Sequence, residues 1–309
     1  MSKGAGIGAP ERRPGKVRGE LRALGQRPRK RFGQHFLADP GIAARIVALA
    51  QLTGNEAVVE VGPGLGALTD ALVQSSRQIW LIEIDTGLAA NLRQRYAAAG
   101  HVHVIEADVL DLDFAEVLPP GEVATVVANL PYNIATPLIA ELVQQGQRFR
   151  RLVLMVQREV AQRLRAKPGS KDYSALSVCV QFAAAVQRGF VVGPGAFVPR
   201  PKVDSEVIVL EPHAEPPVAV TSNAAFRHLV RTVFHQRRKQ LINSLKLVSE
   251  EPQELLQRAG IDPKRRPETL SLQEFATLSN LLNHTLETPA LVDGVQAPLS
   301  RATTGAGEG

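Results

Sequence analysis

Cysteine is nearly absent from this chain, because Cys179 is the only one among its 309 residues. A single thiol excludes an internal disulfide and a cysteine-rich zinc site, and we expect no metal. Cys179 lies in an apolar run with Leu176, Val178 and Val180, so we interpret it as buried filler rather than a nucleophile. The scarcity of cysteine predicts a reducing, cytoplasmic compartment.

Long apolar runs are also missing. Hydrophobic residues make up 44% of the chain, which is ordinary for a soluble protein with a packed core. None of the apolar stretches reaches the roughly 18 to 20 residues that a membrane-spanning helix needs. The length allows one large domain and a smaller one.

Acidic residues are scarce at the beginning of the chain. Residues 1–31 hold ten Lys or Arg but only Glu11 and Glu20, which gives a net charge of +8. Because the whole chain carries +6, residues 32–309 carry −2 and are not basic overall. A nucleic-acid site on the folded part must therefore be a local patch.

The composition of both ends predicts disorder. Residues 1–31 are rich in Gly, Pro and Arg and show no clear apolar periodicity. Two interpretations stay open for them, a solvating extension and an arm that binds RNA. A transit peptide is less favoured, because Ser2 is the only serine there. Residues 286–309 are predicted to be a second disordered tail.

Strands and helices alternate through the middle of the chain, which predicts a doubly wound, Rossmann-like α/β fold with a parallel sheet. Apolar runs predict strands at 57–61, 79–84, 102–106, 123–128 and 152–157, with helices at 67–74, 86–98 and 136–146. A later pair, 186–192 and 204–210, could close the sheet as an antiparallel hairpin. We assign residues 32–212 to this domain.

Helical periodicity dominates the rest of the chain after Pro217. It predicts helices at 223–248, 251–259 and 271–284. We therefore expect a small all-helical domain over residues 218–285.

A glycine-rich loop follows the first predicted strand, over Glu60 to Gly66. Gly62 and Gly64 let the backbone approach a ligand closely, next to the free amides of a helix N-terminus. The signal is weak alone, because Gly62, Gly64 and Ala67 also satisfy the dinucleotide fingerprint. A nicotinamide-dependent enzyme therefore stays open at this point.

Two carboxylates follow the next strands. Glu83, at the tip of the second strand, can accept hydrogen bonds from the ribose hydroxyls of any adenosine cofactor. Asp108, after the third strand, can accept one from an adenine amine, although Asp is also frequent as a turn or helix cap. Together with the glycines, the pair favours a ligand site.

The fourth strand ends in Asn129-Leu130-Pro131-Tyr132. An adenine amine is a poor nucleophile, because its lone pair is delocalised into the ring. Two acceptors, the Asn129 side-chain oxygen and the Leu130 carbonyl, would favour the pyramidal geometry that attacks a methyl sulfonium. Pro131 stiffens the turn, and Tyr132 can stack on a displaced base. Catalysis by this motif would rest on orientation and electrostatics.

These motifs, taken together, resemble those of the small-subunit ribosomal RNA adenine dimethyltransferases, from about Lys30 to about Leu282. Segments match in order at Gln34 to Leu37, Glu60 to Gly66, Glu83 to Asp85, Ala107-Asp108, Asn129 to Asn133, Gln157 to Leu164 and Phe197 to Ser205.

The resemblance implies a cofactor, a substrate and roles for named residues. The cofactor would be S-adenosylmethionine, and the substrate two adjacent adenosines near the 3′ end of 16S rRNA in the small ribosomal subunit, each dimethylated at N6. Phe197 would lie on the target adenine opposite Tyr132. Cofactor contacts would come from His35, Leu37, Gly62, Gly64, Glu83, Asp108 and Asn129.

Basic residues of the predicted helical domain are candidates for phosphate contacts. Without the motifs above, they would be interpreted as a solvated face. The candidates are Arg231, Arg237, Arg238, Lys239, Lys264, Arg265 and Arg266, with Arg158 and Arg163 after the fifth strand.

Several alternative functions share part of this motif pattern. The nearest is the large-subunit rRNA adenine methyltransferase of the macrolide-resistance type, which usually carries Ile where this chain has Leu130. A DNA adenine methyltransferase and a non-catalytic ribosome-assembly factor on the same scaffold are further options. A dehydrogenase explains neither Asn129 nor the basic helix. We expect a monomer.

Overall fold

A seven-stranded sheet forms the centre of the computed structural model, which describes residues 14–287 apart from the side chains at positions 30 and 283–287. The strands lie in the order β4-β3-β2-β5-β6-β9-β7. Neighbours from β4 to β6 are parallel, whereas β9 is antiparallel to both β6 and β7. The bounds are β2 Ala57–Val61, β3 Gln78–Glu83, β4 Val102–Glu106, β5 Ala124–Asn129, β6 Phe149–Gln157, β7 Ala184–Val192 and β9 Ser205–Pro212.

The predicted parallel sheet and its closing antiparallel pair are confirmed. Every residue of β2 is buried, because a central parallel strand is covered on both faces, and this is why the strand is a continuous apolar run. Helices α2 Pro40–Leu49, α3 Thr69–Ser75, α4 Thr86–Arg95, α5 Phe114–Val117, α6 Ala135–Leu142, α7 Arg158–Leu164 and α8 Ala175–Ala183 accompany the sheet.

A second, two-stranded sheet lies beside the main one. Strand β1, Phe36–Leu37, pairs antiparallel with β8, Phe197–Val198, and Leu37 lies opposite Phe197. This pairing joins two segments that are far apart in the sequence, so no local pattern predicts it.

Part of the segment predicted to be disordered is a helix, α1, over Pro14–Ala23. Its residues Val17 and Leu21 are buried in a small cluster with Phe36, Ala38, Leu65, Leu88 and Val198. The prediction of disorder is therefore wrong for this stretch. Two apolar residues one turn apart form too short a pattern to stand out in a Gly- and Arg-rich segment. Residues 1–13 lie outside the described residues.

The helices after the sheet are α9 Asn223–His235, α10 Leu241–Leu245, α11 Pro252–Ala259 and α12 Leu272–Glu287. The single helix predicted over 223–248 is wrong, because α9 ends before Arg237. Arg237 Nε donates to Glu268 Oε2 at 2.7 Å, and Leu241 N donates to Arg265 O at 2.6 Å. Bonds to a distant segment thus replace the helical bonds there. The predicted tail overlaps the end of α12, and residues 288–309 lie outside the described residues.

The core of these helices includes residues of α8. The rings of Phe182 and Phe226 stack with centroids 4.3 Å apart. Cys179 is buried in the same cluster, as the sequence predicts. Whether residues 32–212 and 218–285 are separate domains stays a prediction.

Candidate active site

A cavity of about 280 Å³ opens at the carboxyl ends of β2, β3, β4 and β5. Ligands of doubly wound sheets bind at this edge. The cofactor residues expected from the sequence all line it: His35, Leu37, Gly62, Gly64, Glu83, Asp108 and Asn129. Leu130, Pro131 and Tyr132 line the same cavity.

The glycine loop after β2 forms one wall. Gly64 has a φ of +59°, which a residue with a Cβ rarely adopts. A Cβ at this position would also lie 3.1 Å from the ring of Phe36. Gly64 therefore allows the loop and β1 to approach each other beside the cavity.

Glu83 ends β3 in the wall of the cavity, and its side chain is only 4% exposed. Its carboxylate accepts hydrogen bonds from Gly64 N and Asp85 N, both at 3.0 Å. Burial raises the pKa of this carboxyl, against the effect of the two N–H donors. The bonds hold the acceptor group at a defined place and tie it to the glycine loop.

A buried acidic side chain lies next to Glu83. Asp85 is 1% exposed and accepts from Gly87 N at 3.1 Å, which caps α4. Its other oxygen is 3.3 Å from Arg29 Nε and 3.4 Å from Gln34 Nε2. Asp85 thus connects the start of α4 to the segment that contains Arg29 and Gln34, and residues 31–37 of this segment line the cavity.

Asp108 forms the cap that the sequence left open as one of its roles, and it also lies at the cavity. Its Oδ1 accepts from Leu110 N at 3.0 Å and caps a turn of 3-10 helix, Val109–Asp111. The same side chain lines the cavity. The cap fixes the side chain and leaves its second oxygen for a ligand.

The side chain of Asn129 is oriented by a residue 94 positions earlier in the chain. Its Nδ2 donates to the His35 carbonyl at 3.0 Å. One of the two N–H donors of Nδ2 is thereby used, which fixes the orientation of the amide, and Oδ1 is its acceptor group. Leu130 N donates to Met155 O at 3.0 Å, which holds the Asn129–Leu130 peptide in place.

Tyr132 is half-buried and held at both ends. Its hydroxyl shares a hydrogen bond of 2.8 Å with Ser205 Oγ, and its ring stacks on His35 with centroids 5.3 Å apart. His35 is held in turn, because its Nδ1 donates to the Pro199 carbonyl at 2.8 Å. The stacking of the His35 ring on Tyr132 was not expected from the sequence, although Ser205 and His35 both lie in the matched motifs.

The structure does not place Phe197 in the lining of the cavity. Its side chain is 1% exposed, packs in the core with Val192 and Val207, and does not line the cavity. The reason is the pairing of β8 with β1, which sets Phe197 opposite Leu37. Phe197 is therefore a core residue in this structure, and its role as the second half of an aromatic clamp stays a prediction.

Several predicted phosphate contacts are engaged within the protein. Arg237 pairs with Glu268, Arg265 with Glu274, Arg158 with Asp204 and Arg163 with Glu159. Such pairs reduce the charge available to a ligand. Among the described residues, the exposed members of the set that form none of these pairs are Arg231, Arg238, Lys239, Lys264 and Arg266. Their contact with RNA stays a prediction.

Two kinds of feature are absent from the described part of the chain. None of its helices is both long and apolar enough to cross a membrane. Nor does it contain a group of three or more His, Cys, Asp or Glu side chains placed to hold a metal ion.

The sheet, the glycine loop and the acidic strand ends define a Rossmann-like nucleotide-cofactor enzyme, and Asn129 to Tyr132 at the same cavity are typical of an amine methyltransferase. The chain belongs to the ribosomal RNA adenine dimethylase family, whose model matches residues 25–284.

Curated relatives agree with the family. The chain is 45% identical over 269 residues to a Geobacter sulfurreducens protein named ribosomal RNA small subunit methyltransferase A, covering 84% of this chain and 96% of that one. It is 39% identical to a Geobacillus protein of the same name, with 88% and 98% covered. The dehydrogenase alternative is thereby excluded.

Solved structures of similar fold include a dimethyladenosine transferase and a 23S rRNA methyltransferase. A dimethyladenosine transferase from Plasmodium falciparum has a TM-score of 0.64 at 25% identity, with 79% of this chain and 96% of that one covered. The 23S rRNA methyltransferase ErmE has a TM-score of 0.60 at 27% identity, with 80% and 99% covered.

Proposed function

We propose that this protein dimethylates the N6 amines of two adjacent adenosines near the 3′ end of 16S rRNA, with S-adenosylmethionine as methyl donor. The family is one of rRNA adenine dimethylases, and relatives at 39–45% identity are named for the small subunit. The observation that carries the proposal is the orientation of Asn129, whose oxygen is left to accept a hydrogen bond at the cavity.

The donor and acceptor set of the cavity fits S-adenosylmethionine. The Glu83 carboxylate would accept the ribose hydroxyls, Asp108 would accept the adenine amine, and the loop at Gly62 and Gly64 would lie along the amino-acid part. His35 and Leu37 would cover the bound molecule. S-adenosylmethionine supplies a methyl group on a positively charged sulfur.

The residues at the end of β5 would prepare the target amine. Asn129 Oδ1 and the Leu130 carbonyl would each accept a hydrogen bond from one N–H of the amine, which would favour a pyramidal nitrogen whose lone pair is available for methylation. Tyr132 stacks on the base after it leaves its helix. Asn129 is oriented before the substrate arrives by its bond to His35, and the Leu130 N–H is bonded to Met155, so little reorganisation of this turn would be needed.

The surrounding biology follows from the same proposal. The partner is 16S rRNA within the small ribosomal subunit, and the protein acts in the cytoplasm as a monomer. Methylation of small subunits that are not yet fully modified would also give the protein a role in subunit biogenesis.

The test is transfer of a labelled methyl group from S-adenosylmethionine to undermodified small subunits, mature small subunits and large-subunit rRNA. We expect dimethyladenosine only in the undermodified small subunits. Asn129→Ala, as the control, should lower the rate by about 10²- to 10³-fold, because one fixed acceptor is lost.

The other outcomes separate the alternatives. Label in large-subunit rRNA would favour the large-subunit alternative instead; the solved structures of similar fold include a 23S rRNA methyltransferase, ErmE. Absence of label with the cofactor still bound would favour a non-catalytic assembly factor.

A further inference from the structure

A groove runs along one flank of α1, next to the active site. It is lined by Arg18, Arg22 and Arg27 on one side and by Val198 and Pro199 on the other. The family model's match begins at residue 25, so α1 lies before the matched region. Residues 1–31 as a whole were left open as an arm that binds RNA, but none of these three arginines was among the individual candidates for phosphate contacts.

The three arginines carry positive charge that is not used inside the protein. All three side chains are exposed. Within residues 14–287, none of them lies within 4.0 Å of a carboxylate. Arg29 differs, because it pairs with the buried Asp85. The arginines of the groove are thus available to bind a ligand, whereas four of the candidate phosphate contacts predicted from the sequence form ion pairs within the protein.

The acidic residue of α1 lies on its other flank. Glu20 lines a separate depression with Leu24 and Asn91. At about 100° per residue, Arg18 and Arg22 lie on one side of the buried Val17 and Leu21, and Glu20 on the other. The groove therefore contains three positive charges and no acidic side chain among its lining residues.

Two contacts connect the groove to Tyr132, the residue on which the target base is proposed to stack. Pro199, in the groove wall, accepts a hydrogen bond from His35 Nδ1 at 2.8 Å. The His35 ring stacks on Tyr132 at 5.3 Å. A strand whose base lies on Tyr132 would therefore continue past the groove with its phosphates.

We propose that this groove binds the phosphodiester backbone of the RNA beside the target adenosine, through Arg18, Arg22 and Arg27. Guanidinium groups suit phosphate oxygens because their planar N–H donors can form paired hydrogen bonds. Such contacts add affinity that is independent of sequence and falls with salt. The inference rests on the proposed function for the identity of the RNA.

The test compares two double variants of the full chain. Arg18→Gln/Arg22→Gln removes two charges from the groove. Lys16→Gln/Arg258→Gln removes two from exposed helical positions outside it. Gln has nearly the helix propensity of Arg and Lys, so α1 should be retained in both.

The readouts are binding of a single-stranded RNA dodecamer at several KCl concentrations, the KM and kcat on undermodified small subunits, and cofactor affinity by calorimetry. For the groove variant we expect RNA affinity to fall about ten-fold, and the slope of log affinity against log salt to shrink by roughly 1.5. The KM should rise with kcat and cofactor affinity unchanged. The control variant should resemble the wild type.

Equal effects in the two variants would overturn the proposal, because they would reflect net charge alone. A fall in cofactor affinity with unchanged RNA binding would overturn it too and make α1 only a support for the glycine loop. Wild-type protein that leaves small subunits unmethylated would contradict the proposed function alone, since dodecamer binding still decides whether the groove holds phosphates.

Discussion

Tyr132 makes two separable contacts in the active site, one through its hydroxyl and one through its ring. We predict that Tyr132→Phe, which loses only the bond to Ser205, weakens substrate binding by about 1 kcal/mol at most. Tyr132→Ala also loses the ring on which a base would stack, a loss of roughly 1–3 kcal/mol per base. Steady-state kinetics on undermodified subunits should show a KM increase of about 10- to 100-fold for Tyr132→Ala only. Equal defects in both variants would mean that the hydroxyl carries the effect.

The buried Glu83 predicts a pH dependence of cofactor binding. Burial raises the pKa of this carboxyl above its usual value of 4.5. Only the ionised carboxylate can accept hydrogen bonds from both ribose hydroxyls, so affinity should be constant above the raised pKa and fall as the pH drops through it. Calorimetric titration of S-adenosylmethionine at a series of pH values measures this.

Matched variants assign the acidic fall in affinity to its group. Glu83→Gln should bind weakly at every pH and lose most of the dependence, whereas Asp108→Asn should keep it. A wild-type affinity that stays flat down to the pH of unfolding would contradict the role of Glu83.

At the scale of elements, the small β1–β8 sheet decides what Phe197 does. Because its side chain is buried, Phe197→Ala should lower the free energy of unfolding by about 3–5 kcal/mol. Phe197→Leu keeps much of the buried volume and should cost far less, while methyl transfer stays close to wild type. Urea denaturation and initial rates check both. If the Phe197→Leu protein has normal stability but no activity, the result would support a role of Phe197 in an aromatic clamp on the target base.

At the scale of the whole molecule, α8 links the sheet to the following helices. Val180 belongs to the core of the sheet, whereas its neighbour Cys179 belongs to the helical cluster. Burial raises the pKa of the Cys179 thiol to about 11, so iodoacetamide at pH 8 should react with it only on unfolding.

Two probes then report on the two cores. Trp80 lies in the core of the sheet, and its fluorescence should change at the same urea concentration at which Cys179 becomes reactive. Coincident transitions indicate one cooperative unit. Labelling at a clearly lower concentration would show that the helices open separately, as a domain boundary near residue 218 would allow.

The sequence by itself determined the parallel sheet, the glycine loop, the acidic strand ends and the Asn129 to Tyr132 turn. Each of these is a local pattern: a run of apolar residues in a buried strand, or a short motif directly after one. Local patterns of this kind also place the motifs together, because the carboxyl ends of parallel strands meet at one edge.

Only the tertiary structure decided the orientation of Asn129, the burial of Phe197 and the docking of α1. The partners that decide them are His35 for Asn129, Leu37 for Phe197, and Leu65 and Leu88 for α1. All are distant in the chain, so they leave no periodicity in the sequence. The same holds for the charges, because an arginine looks alike in sequence whether it faces solvent, as Arg18 does, or pairs with a carboxylate, as Arg237 does.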